Sequence, residues 1–269
     1  MASLGFCRLP LSQCTVCIIW FVIYFLGLIS EDCLVSLALL RLIWWYPVTW
    51  IGVEMTVLVK WLAHAGFQIR ADGKVVYVDL EKYDGALEKA NLILVTHSHG
   101  DHCNPSKISE VRKEDTVVIA PKDCVSKIGG NVKTLEPGEE AKVDGIRVRA
   151  VQAYNVKRFR SPGTPYHPMG LGVGYLITVE GKTVYHAGDT DFIPEMQQLG
   201  HVDLALLPSG DTYTMDCAEA AEAARAIRPR AVVPMHRKSM DPEEFRKKVE
   251  ADSPIKVLLL REGEEHRIT

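Results

Sequence analysis

The chain reads as an α/β protein of two packed sheets with helices on their outer faces. Three observations predict this. After residue 55 the sequence runs through two successive halves, each strand-rich and then helical. Short apolar or alternating runs are separated by the hairpin signals Asp72-Gly73, Asp144-Gly145 and Glu180-Gly181. A buried apolar run, Asn91 to Val95, ends abruptly in the polar cluster Thr96-His97-Ser98-His99-Gly100-Asp101-His102.

The elements follow in order. The first 54 residues are of different material. Thr15 to Ile29 is apolar almost throughout, and Cys33 to Trp50 is apolar apart from Arg41 and Pro47. A two-helix membrane hairpin fits, with Arg8 on the cytoplasmic side, Glu31-Asp32 in the turn, and Trp44, Trp45 and Trp50 at the interface. A signal peptide fits less well, because no small-x-small cleavage site follows the apolar run. A third reading starts translation at Met55, whose Thr-Val-Leu-Val-Lys-Trp-Leu opens a strand at once. The expected division is therefore an apolar segment over 1–54 and a catalytic domain over 55–269.

In that domain, Val57 to Trp61, Phe67 to Arg70 and Val75 to Asp79 read as strands, and Asn91 to Thr96 as a buried one. Pro105 suits the first turn of a helix over Ser106 to Arg112. A strand over Val117 to Ala120 and a short helix over Asp123 to Ile128 follow. Two hairpins come next, the second pairing Gly174 to Val179 with Thr183 to His186. Leu204 to Leu207 is a buried strand. Asp216 and Glu219 form a capping box for a helix over Cys217 to Ile227. Ala231 to His236 is a strand, Pro242 to Ala251 a helix, and Lys256 to Leu260 the last strand expected.

Composition narrows the function. A net charge of −3 gives no electrostatic case for nucleic acid. Of seven cysteines, Cys7, Cys14, Cys17 and Cys33 fall in the first 33 residues, and the rest lack regular spacing. That is no disulfide framework; it fits a reducing compartment and a cytoplasmic catalytic domain, membrane-anchored if residues 1–54 are present. The lone Cys14-Thr-Val-Cys17 reads as packing. The cluster from His97 to His102 is different. It puts three imidazoles and a carboxylate within six residues, donors that zinc, manganese and iron accept.

These residues resemble the metallo-β-lactamase superfamily, and within it the small metal-dependent hydrolases related to the ascorbate-6-phosphate lactonase group. The matching pieces are Trp61-Leu-Ala-His-Ala-Gly-Phe67, Thr96 to His102, Tyr185-His-Ala-Gly-Asp-Thr190, Leu206-Leu-Pro-Ser-Gly-Asp211 and Val233-Pro-Met-His236. They cover 55–269 and leave 1–54 without a counterpart. The resemblance implies a four-layer αββα sandwich with two divalent metal ions at one edge of the sheets, zinc foremost and manganese or iron as alternatives. His97 and His99, two apart, would face one ion, and Asp101 and His102 the second. Asp189 would bridge them around a shared hydroxide, and His236 would complete the second site. Where relatives place a histidine after the strand ending Ala150-Val-Gln-Ala153, this chain has Tyr154-Asn155, so His167 is the candidate for the first ion.

Other residues carry lesser expectations. His64 is expected near the site in a hydrogen-bonding role, and with Asp101 forms the candidate catalytic pair. His186 is expected to pack or to support a ligand, and His201 and His266 to be solvated. The loop from Asn155 to Gly170, with Lys157, Arg158 and Arg160, would be either a solvated basic loop or a cover that draws in an anion. Tyr213 would lie at the site rim, touching substrate or simply leading into the next helix. The expected function is hydrolysis of an ester, lactone, amide or phosphodiester in a small, anionic substrate. A nuclease of the same superfamily is a rival that the near-neutral charge disfavours. A diiron oxidoreductase is another: that branch typically has glutamate where His99 stands, although a mononuclear iron enzyme stays open. A silent scaffold is a third rival, at odds with a full ligand set.

Overall fold

The computed structural model describes residues 56–269. The apolar segment 1–54, with its membrane-hairpin, signal-peptide and alternative-start readings, lies outside the described residues. Among the described residues no helix is long and apolar enough to cross a membrane.

The chain order is β1 (Val57–Ala63), β2 (Gly66–Ala71), β3 (Lys74–Val78), β4 (Leu92–Leu94), α1 (Pro105–Val111), β5 (Val117–Ile119), α2 (Lys122–Ile128), β6 (Val132–Lys133), β7 (Glu140–Val143) and β8 (Ile146–Ala153). Then come β9 (Phe159–Ser161), β10 (Thr164–Pro165), β11 (Gly172–Val179), β12 (Lys182–His186), a 3-10 helix (Pro194–Gln198), β13 (Leu204–Pro208), α3 (Cys217–Ile227), β14 (Ala231–Met235), α4 (Pro242–Glu250), β15 (Lys256–Val257) and β16 (Glu265–Ile268). One sheet has the order β16-β1-β2-β3-β4-β5-β6 and the other β15-β14-β13-β12-β11-β8-β7.

The side-chain period of two builds the layers. Along β3, Val76 and Val78 enter the main core that both sheets share, while Val75 and Tyr77 join Ile108 and Val111 of α1 and Cys124 of α2. Strands covered on both faces read as continuous apolar runs, as Leu92-Ile93-Leu94 does. On the second sheet, the buried alanines Ala220, Ala221 and Ala224 of α3 and Phe245 and Val249 of α4 extend the same core. The result is helix, sheet, sheet, helix, the architecture that the motifs imply.

The helix starts are where the cap residues put them. Asn104 Oδ1 accepts from the backbone N–H groups of Ser106 and Lys107 ahead of α1. Asp216 and Glu219 cap α3 reciprocally.

The C-terminus departs from the expectation. The strand expected over Lys256 to Leu260 shortens to β15, and a further strand, β16, pairs antiparallel with β1. His266 is therefore not in a solvated loop: it lies opposite Val59, half-buried, and burial lowers its pKa. Glu265-His-Arg-Ile268 has no apolar run to announce a strand; the open edge of β1 makes it one.

Within each sheet the parallel strands point their C-terminal ends to one edge. β3, β4 and β5 are parallel neighbours, as are β12, β13 and β14. Side chains just past such ends are where open α/β sheets hold their chemistry.

Candidate metal centre

Strand ends and two turns deliver the polar groups. β4 runs into His97, His99, Asp101 and His102, β12 into Asp189, and β14 into His236. The β1–β2 turn carries His64, and the segment after β10 carries His167. The structure brings all eight of these residues together. His99 Nδ1 lies 3.1 Å from His97 Nε2 and 3.2 Å from His167 Nε2. In a second group, Asp101 Oδ2 lies 3.3 Å from His64 Nε2, 3.7 Å from His236 Nε2 and 3.9 Å from His102 Nε2. Asp189 sits between the groups. Its Oδ1 is 3.4 Å from His102 Nε2, and its Oδ2 is 3.3 Å from His167 Nε2 and 3.2 Å from His236 Nε2.

This arrangement fits metal ions. His102 Nε2, His236 Nε2 and Asp189 Oδ1 are buried and make no hydrogen bond, only the close imidazole–carboxylate approaches given above. A buried polar atom left so costs about 1–3 kcal/mol, and several aimed at one small volume are what a cation satisfies. Donors around a tetrahedral ion at ~2.1 Å lie about 3.4 Å apart, close to most of the spacings above. Imidazole with carboxylate is also a donor set that divalent transition metals take.

The candidate ligand nitrogens are oriented from behind. His102 Nδ1 is 2.7 Å from Asp79 Oδ2, and Asp79 is fixed by the Thr96 N–H at 2.7 Å and the Thr96 hydroxyl at 2.6 Å. Hydrogen bonding at Nδ1 leaves His102 Nε2 as the free lone pair. Asn155 does the same for His167. Its Oδ1 accepts from the His167 backbone N–H at 2.8 Å and stands 2.9 Å from Nδ1, while its Nδ2 donates to the Tyr213 carbonyl at 3.0 Å. The backbone contacts at both ends fix which way the amide points. The His64 carbonyl accepts from the His236 N–H at 3.1 Å and from Trp61 Nε1 at 3.0 Å, tying the two turns together. Gly210, just after β13, lets that segment approach the His236 turn, since a Cβ there would come within 2.1 Å of the His236 carbonyl oxygen.

Electrostatics separates the imidazoles. Burial pushes His102 down, but the Asp189 and Asp79 carboxylates outweigh it and hold it well above its ordinary value. Burial likewise acts on His236 and is outweighed by Asp189 and Asp101, which raise it to about 9. Burial lowers His97 well below the usual range and His167 to about 4. Asp189 is held low despite burial by His102 and His236, and Asp101 by His236 and His64. Without metal, the cluster around the carboxylates holds protons where ions would otherwise stand.

The remaining expected residues fall into place around this centre. His186 is buried and spans 2.8 Å from Nε2 to the Ala65 carbonyl, while its Nδ1 accepts from the Gly188 N–H. It clamps the His64 turn to the Asp189 turn. His201 is exposed beside Asp203. The Asn155–Gly170 loop is neither a free basic loop nor an anion cover as far as Lys157 and Arg158 are concerned. Arg158 pairs with buried Asp191, with Glu219 and with Asp211, and Lys157 pairs with Glu219. Three backbone N–H groups, of Val156, Lys157 and Arg158, also donate to Asp191. These bonds hold the loop that presents His167. Tyr213 packs edge-on against Tyr166 at 4.7 Å. Cys103, Cys124 and Cys217 are free and buried.

Residues 58–236 match the sequence model of the beta-lactamase superfamily domain. The chain belongs to the metallo-β-lactamase superfamily. It is 33 % identical over 224 residues to a UPF0173 metal-dependent hydrolase of Pelotomaculum thermopropionicum, covering 77 % of this chain and 97 % of that protein. A UPF0173 metal-dependent hydrolase of Pyrococcus abyssi is 36 % identical over 234 residues, covering 78 % and 98 %. Among solved structures, a Parabacteroides distasonis protein assigned as a metal-dependent hydrolase superposes with a TM-score of 0.71 at 36 % identity, covering 78 % of this chain and 94 % of that one. These names carry no substrate.

Three residues of this superfamily member, Asp79, Asn155 and Asp191, are not legible as functional residues in the sequence. Asp79 closes the run Val75-Val-Tyr-Val-Asp79, and a lone carboxylate at the end of a buried strand was the available signal. Asp191 and Asn155 give none, because these partners lie 12 to 35 residues away along the chain.

Proposed function

We propose that this chain is a metal-dependent hydrolase of small molecules, acting on an ester, lactone, amide or phosphodiester, with its catalytic unit in residues 55–269. The observation that carries the reading is the convergence of unpartnered nitrogen and oxygen atoms about Asp189. The relatives named metal-dependent hydrolases support it. His97, His99 and His167 would hold one ion and Asp101, His102 and His236 a second, with a carboxylate oxygen of Asp189 toward each group; zinc is the first choice, manganese or iron the alternatives. Bound there, such ions polarise a carbonyl or phosphoryl oxygen and lower the pKa of water.

The chain's own residues do the rest. Asp101 Oδ2 faces both His64 and His236, and accepts the proton of the attacking water. His64, 3.3 Å away and open to a cavity, returns a proton to the leaving oxygen or nitrogen. Asp79 and Asn155 hold His102 and His167 in the tautomers that point Nε2 inward.

Metal quantification on the purified full chain tests this, followed by a screen of lactone, ester, amide and phosphodiester substrates. Close to two transition-metal ions per chain are expected, lost in His97→Ala combined with Asp189→Ala. Normally folded wild-type protein that takes up no metal on reconstitution would overturn the reading.

A further inference from the structure

Beside His64 and Asp101 opens a cavity of about 390 Å³, within the size range of small-molecule sites. The two residues that follow His236 both line it, and both are laid on aromatic rings. The Arg237 guanidinium lies 4.2 Å from the centre of the Trp61 ring, and Lys238 Nζ lies 3.5 Å from that of Tyr213. Arg237 is half-buried, and its Nη2 donates to the Leu260 carbonyl at 3.3 Å. No carboxylate of the described residues comes within 4.0 Å of Arg237, Lys238 or Lys82, the third cation of the wall. Arg158 and Lys157, on the opposite loop, are by contrast fully engaged by acids. Glu81 and Glu262 also line the cavity, and neither is paired with these cations.

The bond to Leu260 uses one N–H of the Arg237 guanidinium, and its remaining N–H donors have no carboxylate partner; guanidinium donors of this kind fit a carboxylate or a phosphate. We propose that Arg237 and Lys238, backed by Trp61 and Tyr213, bind an anionic group of the substrate, so that this enzyme selects small esters, lactones or amides that carry a carboxylate or a phosphate. This rests on the hydrolase reading above. It fixes the substrate's orientation: the anion sits on the Arg237–Lys238 side, and the scissile bond lies beside His64 and Asp101.

The test is calorimetric titration of the metal-loaded full chain with inorganic phosphate and, separately, with succinate, comparing wild type with Arg237→Gln and Lys238→Gln at equal metal content. At least a tenfold loss of affinity in either variant is expected, for phosphate, for succinate or for both; which probe loses affinity assigns the anion. Arg237→Lys, which keeps charge but not the fork, should lose less than Arg237→Gln. Affinity for both probes within twofold of wild type in both variants overturns the proposal. If Arg237→Gln does not fold, the exposed Lys238→Gln decides alone. A matched pair of esters, one neutral and one carboxylated, separates the two readings. Turnover of neither, with the binding loss intact, sinks the hydrolase reading and not this site. Equal kcat/KM for both, with binding unchanged in the variants, sinks this site and not the hydrolase.

Discussion

Asn155 Oδ1 takes both the backbone N–H and the Nδ1 of His167, at 2.8 and 2.9 Å, so one amide sets the position and the tautomer of an imidazole twelve residues away. The residue standing where a ligand histidine was expected is thus the one that aims the substitute. Asn155→Ala should lower affinity for the ion on the His97–His99–His167 side by about 10–100-fold, with the other ion retained. Chelator competition followed by metal analysis reads this, and His167→Ala should reproduce it.

Asp79 plays the same part for His102 from a fully buried position. Asp79→Ala removes the acceptor of three bonds and leaves the Thr96 N–H buried without a partner, at a cost of about 1–3 kcal/mol. Chemical denaturation of the metal-free protein should show that loss, and metal affinity should fall as well. Unchanged stability and unchanged affinity together would refute the role given to Asp79.

Gly210→Ala is expected to be a packing lesion with a local consequence. Its Cβ would meet the His236 carbonyl at 2.1 Å, so the backbone must move. Strain of this kind costs about 1–3 kcal/mol, and the displaced turn carries His236. Urea melts should show the destabilisation, and metal analysis a fall in metal content.

Arg158 bridges buried Asp191 to α3 and so holds the loop of His167. Arg158→Met leaves Asp191 with backbone donors alone. Breaking a buried pair costs about 3–5 kcal/mol; the backbone donors that remain to Asp191 place the expectation at the lower end. Hydrogen exchange should quicken over 155–170 in this variant, while the β-sheet core stays protected.

The metal-free protein should be most stable near pH 6.5. His236 is raised to about 9, so the stability it contributes is complete below its unfolded value near 6.5 and is lost as pH climbs to 9. His167 is lowered to about 4, so below 6.5 the unfolded chain gains a proton that the folded chain refuses, and stability falls toward pH 4. Thermal melts in chelator across pH 4–10 should trace a maximum between these limbs. Metal should flatten the alkaline limb, because it takes the place of the His236 proton.

Much of the molecule was legible in the sequence. Turn chemistry marked the hairpins, Pro105 and Asp216 marked helix starts, and the two-residue period marked strands, because each is a local property of the chain. The cluster from His97 to His102 was legible for the same reason: its donors are covalently close. His266 was misplaced because β16 exists only as the partner of β1.

The sequence alone determined which donor types were available and the layered α/β architecture that carries them. Only the tertiary structure decided how they combine. Asp189 and His236 reach the cluster because parallel strands end at one sheet edge, and His167 because Asn155 and the Asp191-anchored loop hold it there. Asp79, Asn155 and Asp191 acquired roles because burial left polar groups that only distant residues could satisfy. Arg237 and Lys238 looked like any basic pair in the chain. They stand out once the fold lays them on Trp61 and Tyr213 with no carboxylate of the described residues in ion-pair contact, since whether a charge is paired is a fact about space and not about sequence.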